Sequence, residues 1–138
     1  MSKRNSASSR PRILLADDYP HWLNAAKILL TPEFDVVGTA VDGGKLVSEA
    51  LRLEPDVIVV DITMPVMTGI DAVHRLRNLG SDARIVFLTI HVGEEFMMAC
   101  RAEGAHGYVL KTKMKAQLVP AIRAALAGEY YLPPISSA

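Results

Sequence analysis

The run Val57-Ile58-Val59-Val60 is the feature that most limits what this chain can become. Every residue in it is β-branched and none is polar. A run of that kind favours a strand buried on both faces, as in a parallel sheet. The run stops on a carboxylate, Asp61, and Pro65 and Gly69 then turn the chain. An ionised side chain is therefore expected at the C-terminal end of a central strand, the edge where open α/β sheets bind ligands. An Asp there is also what a helix cap or a loop uses. Its weight comes from what ends the other strands.

Four further apolar runs have strand character: residues 13–16, 34–41, 84–89 and 106–110. Between them the apolar residues fall at helical spacing. After Pro20, which suits a first helical turn, come Leu23, Ala26, Ile28, Leu29 and Leu30. After Asp42, a helix cap, come Leu46, Val47, Ala50 and Leu51. Ile70, Val73 and Leu76 follow Gly69. Glu94 and Glu95 are acidic first-turn residues for a helix carrying Phe96, Met97, Ala99 and Cys100. The last helix places Leu118, Ala121, Ile122, Ala125 and Leu126 on one face, and Gly128 stops it. Pro120 lies inside that helix, removes the bond to the Ala116 carbonyl and is predicted to kink or loosen the first turn. Phe96, Met97 and Met98 cannot share one helix face, so at least one points outward. Five strand–helix units in strict alternation predict a parallel sheet covered on both faces.

With 138 residues, half of them apolar, the chain has material for one domain with a full core. Fifteen basic and fifteen acidic residues cancel, so no net field favours bulk nucleic-acid binding. Residues 1–11 hold almost nothing to bury and read as a disordered tail. The domain is assigned to residues 12–132, with 133–138 a tail or linker. The stretch after Gly128 is too short for a helix-turn-helix, so this chain alone is expected not to bind DNA specifically. A single cysteine, Cys100, fits a reducing cytoplasm. No apolar run approaches a membrane span, and the N-terminus lacks the apolar segment of a secretory signal.

In a parallel sheet all the strand ends share one edge. That edge collects Asp17 and Asp18 after the first strand, Asp61 after the third, Thr89 at the end of the fourth and Lys111 after the fifth. Three gathered carboxylates repel one another unless a cation joins them. Oxygen donors suit Mg²⁺ or Mn²⁺ rather than zinc, and His21, His74, His91 and His106 show no zinc spacing. A carboxylate can act as a nucleophile toward phosphorus. An ammonium and a hydroxyl then stabilise the transferring group. No Walker loop is present, so the protein need not hold a nucleotide.

The segments LLADD, VVDITMPVMTG, VFLT and GYVLK resemble the receiver domain of two-component response regulators. GYVLK and the ending AIRAALAGEYYLPP further resemble the receivers of LuxR-type regulators. The resemblance implies a flavodoxin-like fold with strand order 2-1-3-4-5. It implies that Asp61 is the phosphoacceptor, taking its phosphoryl group from a histidine kinase or phosphotransfer protein. Asp18, Asp61 and the Thr63 backbone carbonyl would bind Mg²⁺ (or Mn²⁺) directly, and Asp17 through water. Thr89 and Lys111 would hold the phosphoryl group, while Tyr108 changes rotamer with Thr89. Output would pass through the face of the fourth helix, fifth strand and last helix, which can also pair two copies. Thr63 and His91 flank the path of an attacking water and are expected to tune phosphoryl lifetime. One departure is Lys111-Thr112, where many receivers have Lys-Pro.

Other functions remain open on the residues. A stand-alone receiver would act by protein contacts instead of feeding a transcriptional regulator. A phosphate-ester hydrolase with an Asp nucleophile, of the haloacid-dehalogenase type, would need a second Asp where Thr63 stands. A receiver-like binding module without phosphorylation need not keep its acidic set complete, as this chain does.

Overall fold

A computed structural model describes residues 9–133. The strands are β1 (Arg12–Ala16), β2 (Asp35–Ala40), β3 (Val57–Val60), β4 (Arg84–Thr89) and β5 (Gly107–Leu110). The helices are α1 (Pro20–Leu30), α2 (Gly43–Leu53), α3 (Gly69–Asn78), α4 (Glu94–Ala102) and α5 (Met114–Leu126), with one 3-10 turn at Lys111–Lys113. All strand pairs are parallel and the sheet order is β2-β1-β3-β4-β5. This is the helix-covered parallel sheet expected from the alternation of strands and helices, in the strand order that the receiver resemblance implied. The tails assigned to residues 1–11 and 133–138 fall largely outside the described residues. Among the described residues no helix is long and apolar enough to cross a membrane.

The β-branched run behaves as its composition requires. All of β3 is buried, and its side chains alternate between two cores. Ile58 and Val60 join Leu14, Ile85 and Phe87 under α2, α3 and α4, which contribute Leu46, Val73, Leu76 and Met97. Val57 and Val59 join Ile13, Leu15 and Val86 under α1 and α5, which contribute Leu23, Leu30, Leu118 and Ile122. Each such side chain stabilises the fold by about 1.5–3 kcal/mol on burial.

Helix starts follow local chemistry. Asp42 caps α2 by accepting the Lys45 amide at 2.7 Å. The Thr68 hydroxyl caps α3 by accepting the Asp71 amide at 3.1 Å. Pro20 opens α1. α5 runs unbroken through Pro120. Pro120 and Ala116 are both exposed, so the proline sits on the solvent side of the helix. On α4, Met97 is buried, Phe96 is half-buried and Met98 points outward.

The chain after α5 folds back onto the sheet. The Tyr131 amide donates to the His106 carbonyl at 2.7 Å, and the Tyr108 amide donates to the Tyr131 carbonyl at 3.1 Å. Tyr131 thereby forms a parallel bridge to Gly107 on the outer edge of β5.

Candidate functional site

The C-terminal ends of β1, β3, β4 and β5 bring their polar residues together. Asp17, Asp61, Thr89 and Lys111 are the buried polar or charged residues among those described. The carboxylates of Asp17, Asp18 and Asp61 each offer an oxygen within 4.8 Å of the others. The Lys111 ammonium donates to both Asp17 Oδ2 at 2.7 Å and Asp61 Oδ2 at 3.0 Å. Each of these two carboxylates also takes a backbone donor on its other oxygen: the Tyr19 amide to Asp17 at 3.0 Å, and the Ile62 amide to Asp61 at 2.7 Å.

Burial dominates the Asp17 carboxyl and raises its pKa, with the Asp61 charge adding to the shift. The Lys111 and Tyr19 hydrogen bonds oppose it without reversing it. The cluster carries three formal negative charges against one positive, so a divalent cation would bring it to neutrality. Its donors are all oxygen, which matches hard cations. Such an acidic triad is typical of the Mg²⁺ site of receiver domains.

The loop after β3 is shaped around Asp61. Ile62 and Met64 are buried and anchor it. Gly69 donates its amide to the Ile62 carbonyl at 2.7 Å. A Cβ on Gly69 would lie 1.9 Å from the Asp61 carbonyl oxygen, so only glycine allows α3 to start this close to the acidic residue. At the tip Val66 takes φ 71°, a strained value for a β-branched residue, and is exposed.

Thr63 and His91 meet at the rim, with the Thr63 hydroxyl and His91 Nε2 2.8 Å apart. The His91 ring stacks on Phe96, with centroids 4.1 Å apart. The His91 carbonyl accepts the Tyr108 hydroxyl at 2.7 Å. The His91 amide approaches the buried Thr89 hydroxyl at 3.4 Å. Tyr108 thus points inward, and burial pushes its phenol pKa well up, with smaller contributions from Cys100 and Asp61. One residue of the site gave no signal in the sequence. Trp22 lies beneath the Lys111 ammonium, 4.9 Å from Nζ to the ring centroid.

Residues 13–123 match the family model described as the response regulator receiver domain. The chain belongs to the response regulator receiver domains. As a receiver it is a phosphoacceptor of two-component signalling and not an enzyme in the classical sense, and receiver domains work with histidine kinases. The receiver is 36% identical over 122 residues to the nitrate/nitrite response regulator protein NarL of Escherichia coli (strain K12), covering 87% of this chain and 56% of that protein. It is 38% identical over 120 residues to the transcriptional regulatory protein LiaR of Bacillus subtilis (strain 168), covering 86% of this chain and 57% of that protein. The receiver therefore spans little more than half the length of these relatives. A crystal structure of a LuxR-family two-component response regulator from Aurantimonas sp. SI85-9A1 superposes with a TM-score of 0.85 at 37% identity, covering 91% of both chains.

Proposed function

We propose that Asp61 takes the phosphoryl group, and that this chain is the regulatory half of a LuxR-type transcriptional regulator. The observation that carries the reading is the place of the Asp61 carboxylate. It ends the central strand, bonded to Lys111 and within reach of Asp17 and Asp18. In the transfer, an Asp61 oxygen forms a bond to phosphorus. The bond from phosphorus to the phosphohistidine nitrogen of a histidine kinase or phosphotransfer protein breaks, and its electron pair leaves on that nitrogen.

Lys111 and the Thr89 hydroxyl donate to the phosphoryl oxygens and offset the charge that gathers there. Asp18, Asp61 and the Thr63 backbone carbonyl would hold Mg²⁺ or Mn²⁺, and Asp17 would act through water. The cation, when bound, neutralises charge on the transferring group. Thr63 and His91, bonded across the rim, set how readily water reaches the acyl phosphate. Thr89 and Tyr108 pass the change to the α4–β5–α5 face. That face pairs two receivers or meets the rest of the regulator, and DNA contact belongs to a part outside this chain.

Incubation with acetyl phosphate and Mg²⁺, followed by intact-mass measurement, tests the reading. One phosphoryl adduct is expected, absent from Asp61→Asn and suppressed by excess chelator. An adduct that persists in Asp61→Asn would exclude Asp61 as the acceptor.

A further inference from the structure

A lysine ammonium carries three N–H donors. On Lys111, Asp17 Oδ2 and Asp61 Oδ2 account for two of them. The same group stands over the face of the Trp22 ring. A cation so placed is drawn to the negative π face, more strongly where water is excluded. Water is excluded here, because the Lys111 side chain is 3% exposed. The ring is held as well. Trp22 sits in the first turn of α1, where its amide donates to the Tyr19 carbonyl at 3.0 Å. It packs against the core beneath α1 and α5, and the ring of His21 meets it edge-on at 5.3 Å.

We propose that Trp22 is a positioning residue for phosphoryl uptake, a role that rests on the reading of Asp61 as acceptor. With acetyl phosphate as donor, an Asp61 oxygen bonds to phosphorus. The phosphorus–oxygen bond to the acetyl group breaks, and acetate leaves with the electron pair. As Asp61 becomes an acyl phosphate its carboxyl oxygens lose their charge, and the Lys111 contact to Oδ2 weakens. The ammonium must then turn a donor to a phosphoryl oxygen without leaving the edge of the sheet. Asp17 and the Trp22 face are the contacts that persist through that exchange. Trp22 keeps the ammonium in place and contributes no acidic oxygen that would compete for it.

The test compares initial rates of phosphoryl uptake from acetyl phosphate in Mg²⁺ for the full chain and its variants. Trp22→Leu keeps an apolar filler but no π face. Its rate at saturating donor should fall on the order of tenfold, with the half-saturating donor concentration unchanged. Trp22→Phe should recover most of the rate.

Because the chain has one tryptophan, incorporating fluorinated tryptophans alters this ring alone. It weakens the π face stepwise with little change of shape, so the rate should fall stepwise with fluorine count, even if Trp22→Leu fails to fold. Lys111 side-chain resonances should also lose their ring-current displacement in folded Trp22→Leu. Uptake in Trp22→Leu at the wild-type rate, equal losses in the Leu and Phe variants, or a rate indifferent to fluorination would overturn the proposal alone. No uptake by the wild-type chain would overturn the assignment of Asp61 and this inference with it.

Discussion

Lys111→Met removes the one ammonium that Asp17 and Asp61 share, and its cost can be worked out from the site. Methionine keeps the length and apolar stem of lysine, so the packing loss is small. The loss is electrostatic. Both carboxylates keep a backbone donor, but both are nearly inaccessible, at 4% and 5% exposure. Breaking a buried pair of this kind costs about 3–5 kcal/mol.

Protonation sets a ceiling. A carboxyl with an unfolded pKa near 3.9 can be carried neutral for 1.36 kcal/mol per pH unit, about 4 kcal/mol at pH 7 and about 1.5 kcal/mol at pH 5. In the variant the folded pKa of one carboxyl rises further above its unfolded value. The folded state then binds more protons than the unfolded state, and stability falls as pH rises through that range. Burial already raises the Asp17 carboxyl in the wild type, so the variant is compared with wild type at each pH. Urea unfolding without divalent cations, followed by Trp22 fluorescence and far-UV circular dichroism, should show a loss of about 3–4 kcal/mol at pH 7 and no more than about 1.5 kcal/mol at pH 5. A loss below about 1 kcal/mol at pH 7, or the same loss at both pH values, would refute the reasoning.

Gly69→Ala should cost more than about 2 kcal/mol in urea unfolding, because its Cβ meets rigid backbone. Gly38→Ala, whose Cβ meets side-chain ends alone, Leu53 at 2.8 Å and Leu14 at 3.4 Å, should stay within about 1 kcal/mol of wild type in the same assay. Asp42→Ala removes the cap of α2 and should lower unfolding stability by about 1 kcal/mol, with α2 amides exchanging faster. Cys100 is fully buried, with its thiol pushed up to about 12 by burial. Alkylation of the native protein at pH 8 should be slower than that of the urea-unfolded chain by at least about a thousandfold.

The legible parts of this fold rested on local chemistry. β-branched runs ending on Asp17, Asp61, Thr89 and Lys111 announce themselves, and a parallel sheet places all their ends on one edge. Trp22 was not legible, because its partner Lys111 is remote in sequence and an aromatic in α1 reads as core filler. Gly69 reads in sequence as a turn signal, and only the folded chain reveals the Asp61 carbonyl that forbids a side chain. Val66 contradicts local preference outright, since a β-branched residue rarely accepts a positive φ. Pro120 was expected to kink or loosen the first turn of α5, and the helix runs from Met114 to Leu126 with Pro120 and Ala116 both exposed.

The bridge from Tyr131 to Gly107 bears on how such sheets fare in crowded solution. An open sheet has two margins, and each is a template on which another chain can add hydrogen bonds. Here the β5 margin is partly taken by the protein's own returning chain. Along the β2 margin the pairing with β1 slips between Ile13 and Leu14, so Val37 is skipped in the register. That irregularity bends the ladder away from straightness. The returning chain shortens the row that β5 offers an incoming strand, and the irregularity in β2 breaks the regularity of the other margin. The polar residues at the C-terminal edge can stay within reach of partners while the flanks of the sheet resist growth into fibres.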